Sequence, residues 1–151
     1  MKNMQILLAA VVTSALVGGY LLGVKGSANT AAIGNDVKCP VAGKPVKADQ
    51  FVEFNGGKVY FCCSGCAREF EKDPDKFAAK ANLQLVQTGQ LKQVACPFSG
   101  NPTSPTTTLN VNGVDVTFCC EHCKAKAAET ASDDQVNLIF ADASKGFKNV
   151  K

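Results

Sequence analysis

Histidine and tryptophan are scarce in this chain of 151 residues, which has one histidine, His122, and no tryptophan. A single imidazole excludes most schemes of general acid–base catalysis, in which histidine is the commonest group. An excess of one charge is lacking as well, because 16 lysine and arginine residues face 13 aspartate and glutamate residues. That balance gives no electrostatic reason to expect a nucleic acid as partner. Catalytic triads, paired-carboxylate motifs and phosphate loops are also missing from the sequence, so we expect no enzyme.

Residues 1–32 have the order of a targeting segment. A positive charge at Lys2 precedes an apolar run from Ile6 to Val24, and a stretch of small residues follows. This order is typical of a secretory signal peptide, while the length of the run also suits an uncleaved membrane anchor of roughly 20 apolar residues. In both cases we expect the rest of the chain outside the cytoplasm, in the periplasm or the cell envelope.

Eight cysteines are the outstanding feature of the composition. They fall into two sets with the same spacing, C-x22-C-C-x2-C, and adding 57 to each position of the first set gives the second set. The sequence therefore predicts two tandem modules, at 33–87 and 94–151, joined by a linker at 88–93. The sets are Cys39, Cys62, Cys63 and Cys66, and Cys96, Cys119, Cys120 and Cys123.

Each module is predicted to be α+β and to consist of a cysteine turn, a β-hairpin and a helix. The turn combines Cys-Pro with a following glycine, and Asn-Gly at 55–56 and 112–113 is the strongest short signal for a hairpin. The second strand of each hairpin brings the cysteine pair to the start of a helix, at Ser64 and at Glu121. Asp73-Pro74 predicts a further helix, because it reads as an N-cap followed by proline at the first helical position.

The cysteine positions point to a metal site in each module. Domains of about 50 residues usually need disulfides or a metal to be stable. Cys62 and Cys66 are four residues apart, which on a helix places them on one face, and Cys63 with Cys66 has the C-x2-C spacing of zinc loops. The hairpin can bring Cys39 back to the helix start, where the helix dipole favours thiolates. Thiolates are soft ligands, so we expect one Zn or Cu(I) ion per module.

Three motifs of the first module resemble the TRASH/YHS group of metal-binding modules: Cys39-Pro40, Tyr60-Phe61-Cys62-Cys63-Ser64-Gly65-Cys66, and Asp73-Pro74-Asp75-Lys76-Phe77. The resemblance implies treble-clef-like modules with a role in heavy-metal sensing, trafficking or resistance. It implies a metal ion as ligand and favours a metal-transport or envelope protein as partner. The ligand sets that it implies are Cys39, Cys62 and Cys66, and Cys96, Cys119 and Cys123.

Several alternatives stay open. Exported proteins with an even number of cysteines are often stapled by disulfides, although a bond between the adjacent Cys62 and Cys63 would be strained. Cys63 and Cys120 are either additional ligands or small buried side chains. His122 is either a fourth ligand of the second site or an ordinary helix residue. The functional alternatives are an interaction module stapled by structural zinc or disulfides, and a thiol–disulfide oxidoreductase.

Overall fold

The computed structural model describes residues 33–34 and 36–150. The expected signal peptide or anchor, residues 1–32, lies outside these residues. Within the described part, no helix is both long and apolar enough to cross a membrane. The structure is mixed α and β, as the sequence predicts. Its elements are β1 (Lys47–Phe54), β2 (Gly57–Phe61), α1 (Ser64–Lys72), α2 (Pro74–Gln87), β3 (Leu91–Gln93), β4 (Thr108–Val111), β5 (Val114–Thr117), α3 (Glu121–Ala128), α4 (Ser132–Phe140) and β6 (Phe147–Asn149).

Both halves of the chain contain a hairpin at Asn-Gly, which confirms the sequence prediction. Asn55 and Gly56 have φ angles of 50° and 75°, and Asn112 and Gly113 have φ angles of 47° and 82°. Two successive positive φ angles define a type I′ turn, which matches the twist of the two strands that it joins. β1 pairs antiparallel with β2, and β4 with β5. The turns thus fix the strand register that delivers each cysteine pair.

The helices α1 and α3 begin directly after the cysteine pairs. Their N-cap residues, Cys63 and Cys120, have the same extended backbone, with φ −161° and ψ 165° in the first half and φ −160° and ψ 165° in the second. The next helix, α2, begins at the Asp-Pro motif as predicted, and the Asp73 carboxylate accepts a hydrogen bond from the backbone N–H of Lys76 at 3.3 Å. The two halves therefore carry their cysteines on the same local backbone.

One hydrophobic core runs through both halves. Its fully buried side chains include Phe61 and Phe70 from the first half and Phe118 and Phe140 from the second. Helix α2 packs against α4, and the Asn82 side-chain amide donates a hydrogen bond to the Phe140 carbonyl at 2.8 Å. A chain of about 50 residues buries a small share of its surface and is only marginally stable by itself. In the shared core, apolar side chains of each half are buried partly against the other half, which stabilises both.

A small third sheet lies at the junction of the two halves. β3 falls within residues 88–93, the expected linker, and pairs antiparallel with β6 near the C-terminus. The Gly146 carbonyl extends the pairing by accepting the N–H groups of Val94 at 2.8 Å and Ala95 at 3.2 Å. The sequence gives no signal for β3, because three residues are too few to show the alternation of a strand.

Candidate metal centres

The structure brings three sulfurs together in each half. In both halves the turn cysteine and two of the three later cysteines have Sγ atoms that all lie within 4.8 Å of one another. The two later sulfurs are 3.6 Å apart in the first half and 3.7 Å apart in the second. The first triad is Cys39, Cys62 and Cys66, and the second triad is Cys96, Cys119 and Cys123.

The sulfur spacing fits a metal ion and does not fit disulfides. A tetrahedral zinc ion with bonds of about 2.3 Å to sulfur holds its ligands about 3.8 Å apart. The separations of 3.6 Å and 3.7 Å are close to that value. A disulfide would need about 2.05 Å, and all eight cysteines are free thiols in the structure. Three soft sulfur donors suit Cu(I) or Zn(II), so the residues present fit the expected ions.

A tight turn holds the first ligand of each triad. The Cys39 N–H donates to the Lys44 carbonyl at 2.8 Å, and the Gly43 N–H donates to the Cys39 carbonyl at 2.8 Å. Gly43 takes a φ of 65°, which glycine adopts without strain. The turn of Cys96 is closed in the same way, with Gly100 at a φ of 71°. Both turn cysteines are buried, at 2% and 0% exposure, so each lies on the interior side of its triad.

Cys62 and Cys66 meet for a different reason from the one that their spacing suggests. Helix α1 begins at Ser64, so Cys62 lies before the helix and the two residues do not share a helix face. The intervening Cys63 is extended, and it turns the chain from the strand direction into the helix. This bend brings the Sγ atoms of Cys62 and Cys66 to 3.6 Å. The argument from helical spacing was therefore wrong, although the convergence that it predicted is observed.

The remaining cysteines, Cys63 and Cys120, are exposed. The alternative that they are small buried side chains is therefore wrong. The Cys63 Sγ lies 3.7 Å from that of Cys66, and the Cys120 Sγ lies 3.8 Å from that of Cys119. Neither belongs to the groups in which all sulfurs are within 4.8 Å of one another. The exposed thiols of Cys63 and Cys120 therefore lie next to the triads, on the side that faces solvent.

Backbone N–H groups favour an anionic sulfur in the turn of each half. Burial raises the pKa of Cys39, but hydrogen bonds from the backbone of Cys62 and Ala42 oppose it, and the net pKa is lowered. Burial also raises the pKa of Cys96, but hydrogen bonds from the backbone and hydroxyl of Ser99, together with those from the backbone of Cys119 and Phe98, outweigh it and lower the pKa to about 6. The turn cysteines are therefore predisposed to act as thiolates, the form that binds metal.

The helix cysteines of the triads behave in the opposite way. Burial, followed by the neighbouring sulfurs, raises the pKa of Cys66 and raises that of Cys123 to about 12. The metal-free sites thus hold protons on these sulfurs at neutral pH. Because ligand sulfurs must be deprotonated, metal binding at these triads would release protons.

Ser99 is a residue of the second site that the sequence analysis missed. Its hydroxyl lies 3.3 Å from the Cys119 Sγ. The matching position in the first half, 57 residues earlier, is Ala42, which has no hydroxyl. An alignment of the two halves at the 57-residue offset would have identified Ser99, because it shows a hydroxyl next to the second turn cysteine that the first half lacks. His122 is exposed and is not part of the second triad, so the contact that distinguishes the second triad comes from Ser99.

Comparison with protein families agrees with the resemblance found in the sequence. Residues 37–81 match the family model of the YHS domain. This segment spans the first triad and most of α2 and is consistent with a metal-binding module of the YHS/TRASH kind. That the second half is another copy of this family stays a prediction, which rests on the 57-residue offset of the cysteines. Comparisons with curated proteins and with solved structures each return no match.

Proposed function

We propose that this protein binds one soft metal ion, Cu(I) or Zn(II), at each cysteine triad, and that it buffers the ion or hands it to a partner. The observation that carries this proposal is the pair of three-sulfur groups, with sulfur separations of 3.6 Å and 3.7 Å. The YHS match at residues 37–81 supports a metal-binding role for the first half. The proposal is one of binding and transfer, not of catalysis.

Three protein ligands favour an ion that can exchange. Structural zinc sites are closed by four protein ligands, whereas a site with three protein ligands keeps a position open for another ligand. Here the turn cysteine is buried, the two other ligands are half-buried, and the fourth thiol is exposed. A ligand from a partner can therefore approach from the side of Cys63 or Cys120. This asymmetry supports handover of the ion.

A closed structural zinc site in an interaction module is the second candidate. It is supported by the distances from the Cys63 sulfur to those of Cys66, 3.7 Å, and Cys62, 4.0 Å, which are close to the separation of two ligands on one ion. The two candidates differ in kinetics. An ion that exchanges rapidly with a chelator while the protein stays folded supports handover, and an ion that leaves only on unfolding supports the structural role.

The direct test is native mass spectrometry with metal analysis on protein prepared without oxygen. We expect two ions per wild-type chain and one ion in Cys39→Ser, because the first triad loses its buried ligand. Structural zinc sites bind with about 10–16 kcal/mol, so each of three thiolates contributes about 3–5 kcal/mol, or a loss of roughly 10²–10⁴-fold in affinity. The ions are therefore counted in the presence of a competing chelator that the wild-type sites withstand and a site weakened to that extent does not. Cys63→Ser is the matched control and should still hold two ions. Two ions in Cys39→Ser would overturn the proposed site.

A location outside the cytoplasm is also part of the proposal. Its support is the order of charge, apolar run and small residues in 1–32, and an envelope metal-transport protein is the proposed class of partner. A reporter enzyme that is active only after export, fused behind Lys151, should be active in cells. If only a reporter that works in the cytoplasm is active in this fusion, the proposed location outside the cytoplasm is refuted.

A further inference from the structure

A single glutamine side chain joins the two segments that carry the first triad. Gln84, in α2, is 1% exposed. Its Oε1 accepts the Tyr60 N–H at 2.6 Å, and its Nε2 donates to the Tyr60 carbonyl at 2.9 Å and to the Lys38 carbonyl at 3.0 Å. Lys38 directly precedes Cys39, and Tyr60 lies two residues before Cys62. The amide thus ties the turn cysteine to the strand that leads to the other ligands.

A second glutamine makes the same three bonds in the second half. The Gln93 Oε1 accepts the Thr117 N–H at 3.0 Å, and its Nε2 donates to the Thr117 carbonyl at 2.5 Å and to the Ala95 carbonyl at 3.0 Å. Thr117 and Ala95 lie 57 residues after Tyr60 and Lys38. The same three backbone groups are therefore satisfied in both halves.

The two glutamines do not correspond in the repeat. Gln84 belongs to helix α2 and Gln93 to strand β3, and they are separated by 9 residues rather than by 57. Inheritance from one duplicated position does not explain the shared bonding pattern. A common physical requirement explains it, because the turn in each half must be held at the same place beside its hairpin.

We propose that Gln84 and Gln93 are the positioning residues of the two metal sites and set the distance between the turn cysteine and the other two ligands. This inference rests on the proposed metal binding. Polar partners behind the ligands orient them, and their removal typically costs 10–100-fold in metal affinity. Without the amide, the carbonyls of Lys38 and Tyr60 lose the donor that they share. The turn is then free to move away from the strand.

Gln90 offers a matched comparison on the same strand. Its Oε1 accepts the Lys58 N–H at 2.6 Å, and its Nε2 donates to the Lys58 carbonyl at 2.8 Å. It thus makes the same two bonds to β2 that Gln84 makes, but it does not contact the segment before Cys39. A third bond, from the Gln90 Nε2 to the Thr88 hydroxyl at 2.8 Å, lies at the end of α2. Loss of Gln90 therefore reports on the hairpin edge and this helix end without the turn, and loss of Gln84 includes the release of the turn.

The metal test uses Cd(II), followed by its thiolate charge-transfer absorption, with one site at a time. Cys96→Ser leaves the first site, and there Gln84→Met should lower Cd(II) affinity 10–100-fold, while Gln90→Met should change it less than 3-fold. Cys39→Ser leaves the second site, and there Gln93→Met should have the large effect. Equal losses from Gln84→Met and Gln90→Met would overturn the proposal.

A metal-free measurement tests the same inference independently. Alkylation of Cys39 by iodoacetamide, followed by peptide mass spectrometry, should be at least 10-fold faster in Gln84→Met than in wild type and unchanged in Gln90→Met. Cys96 should respond in the same way to Gln93→Met only. Unchanged alkylation at both turn cysteines would overturn the inference.

The two measurements separate the two proposals. If wild-type protein binds no Cd(II), the proposed function fails, and the alkylation rates still decide whether the glutamines hold the turns. Circular dichroism confirms that each variant is folded. Gln84 is fully buried, whereas Gln93 is half-buried. If Gln84→Met does not fold, Gln93→Met decides the question.

Discussion

Truncation of Phe140 tests whether the two halves share one core. Phe140 lies in the second half with 0% exposure, and its ring centroid is 5.4 Å from that of Phe147. Phe140→Ala should cost about 3–5 kcal/mol, the usual loss for a buried phenylalanine. Unfolding entropy of about 2.1 cal/mol/K per residue gives about 0.25 kcal/mol/K for the described part of the chain, so Tm should fall by about 12–20 °C.

The assay is thermal unfolding of reduced, metal-free protein, combined with amide hydrogen exchange resolved by peptide. Because the core is shared, amides of β2 in the first half should lose protection together with those of β5 in the second. Leu138→Ala is the matched control on the same helix, since Leu138 is 37% exposed and should cost less than about 1 kcal/mol. If Phe140→Ala opens the second half and leaves β2 protected, the shared-core argument is refuted.

Three further predictions concern single positions. Gly65→Ala should stabilise α1 by at most about 1 kcal/mol in urea unfolding, the difference between glycine and alanine in a helix interior, because Gly65 is the second residue of the helix. The new Cβ would lie 3.7 Å from the Cys63 sulfur, an ordinary contact. A loss of stability would contradict this prediction. Gly146→Ala should lower the free energy of unfolding by about 1–3 kcal/mol in the same assay, because its Cβ would lie 2.8 Å from the Pro97 backbone. A neutral effect would show that the chain before β6 is not held close to Pro97. The pKa of Cys96 is lowered from 9.0 to about 6, so its contribution to stability is complete above pH 9 and is lost as the pH falls through about 6. The difference in free energy of unfolding between metal-free wild type and Cys96→Ser should therefore rise with pH across that window, and a flat difference would refute the shift.

The local features of both halves could be read from the sequence. Asn-Gly marks a type I′ turn because few other dipeptides tolerate two positive φ angles, and the Asp-Pro motif marks the start of α2. The fixed spacing of the cysteines predicted that the sulfurs of each set converge, and the family resemblance, not the spacing, singled out the three that meet in each half. The turns and the helix start are each determined by a few residues that are adjacent in the chain, so their physical cause is visible in the sequence.

Contacts between distant residues could not be read in the same way. Gln84 and Gln93 look like ordinary polar residues until their partners, 24 residues away along the chain, are placed beside them. The pairing of β3 with β6 joins segments more than 50 residues apart, and neither strand has a pattern of its own. The exposure of Cys63 and Cys120 follows from the bend before each helix, which the helical spacing argument did not contain.

The sheet formed by β3 and β6 distinguishes this arrangement from a stack of repeats. In a solenoid, each repeat presents a free surface on which the next repeat can stack, so copies can be added without limit. Here β6 returns to the junction and pairs with β3, and α2 of the first half packs against α4 of the second. The two halves therefore pack on each other within the described residues, in place of stacking like the repeats of a solenoid.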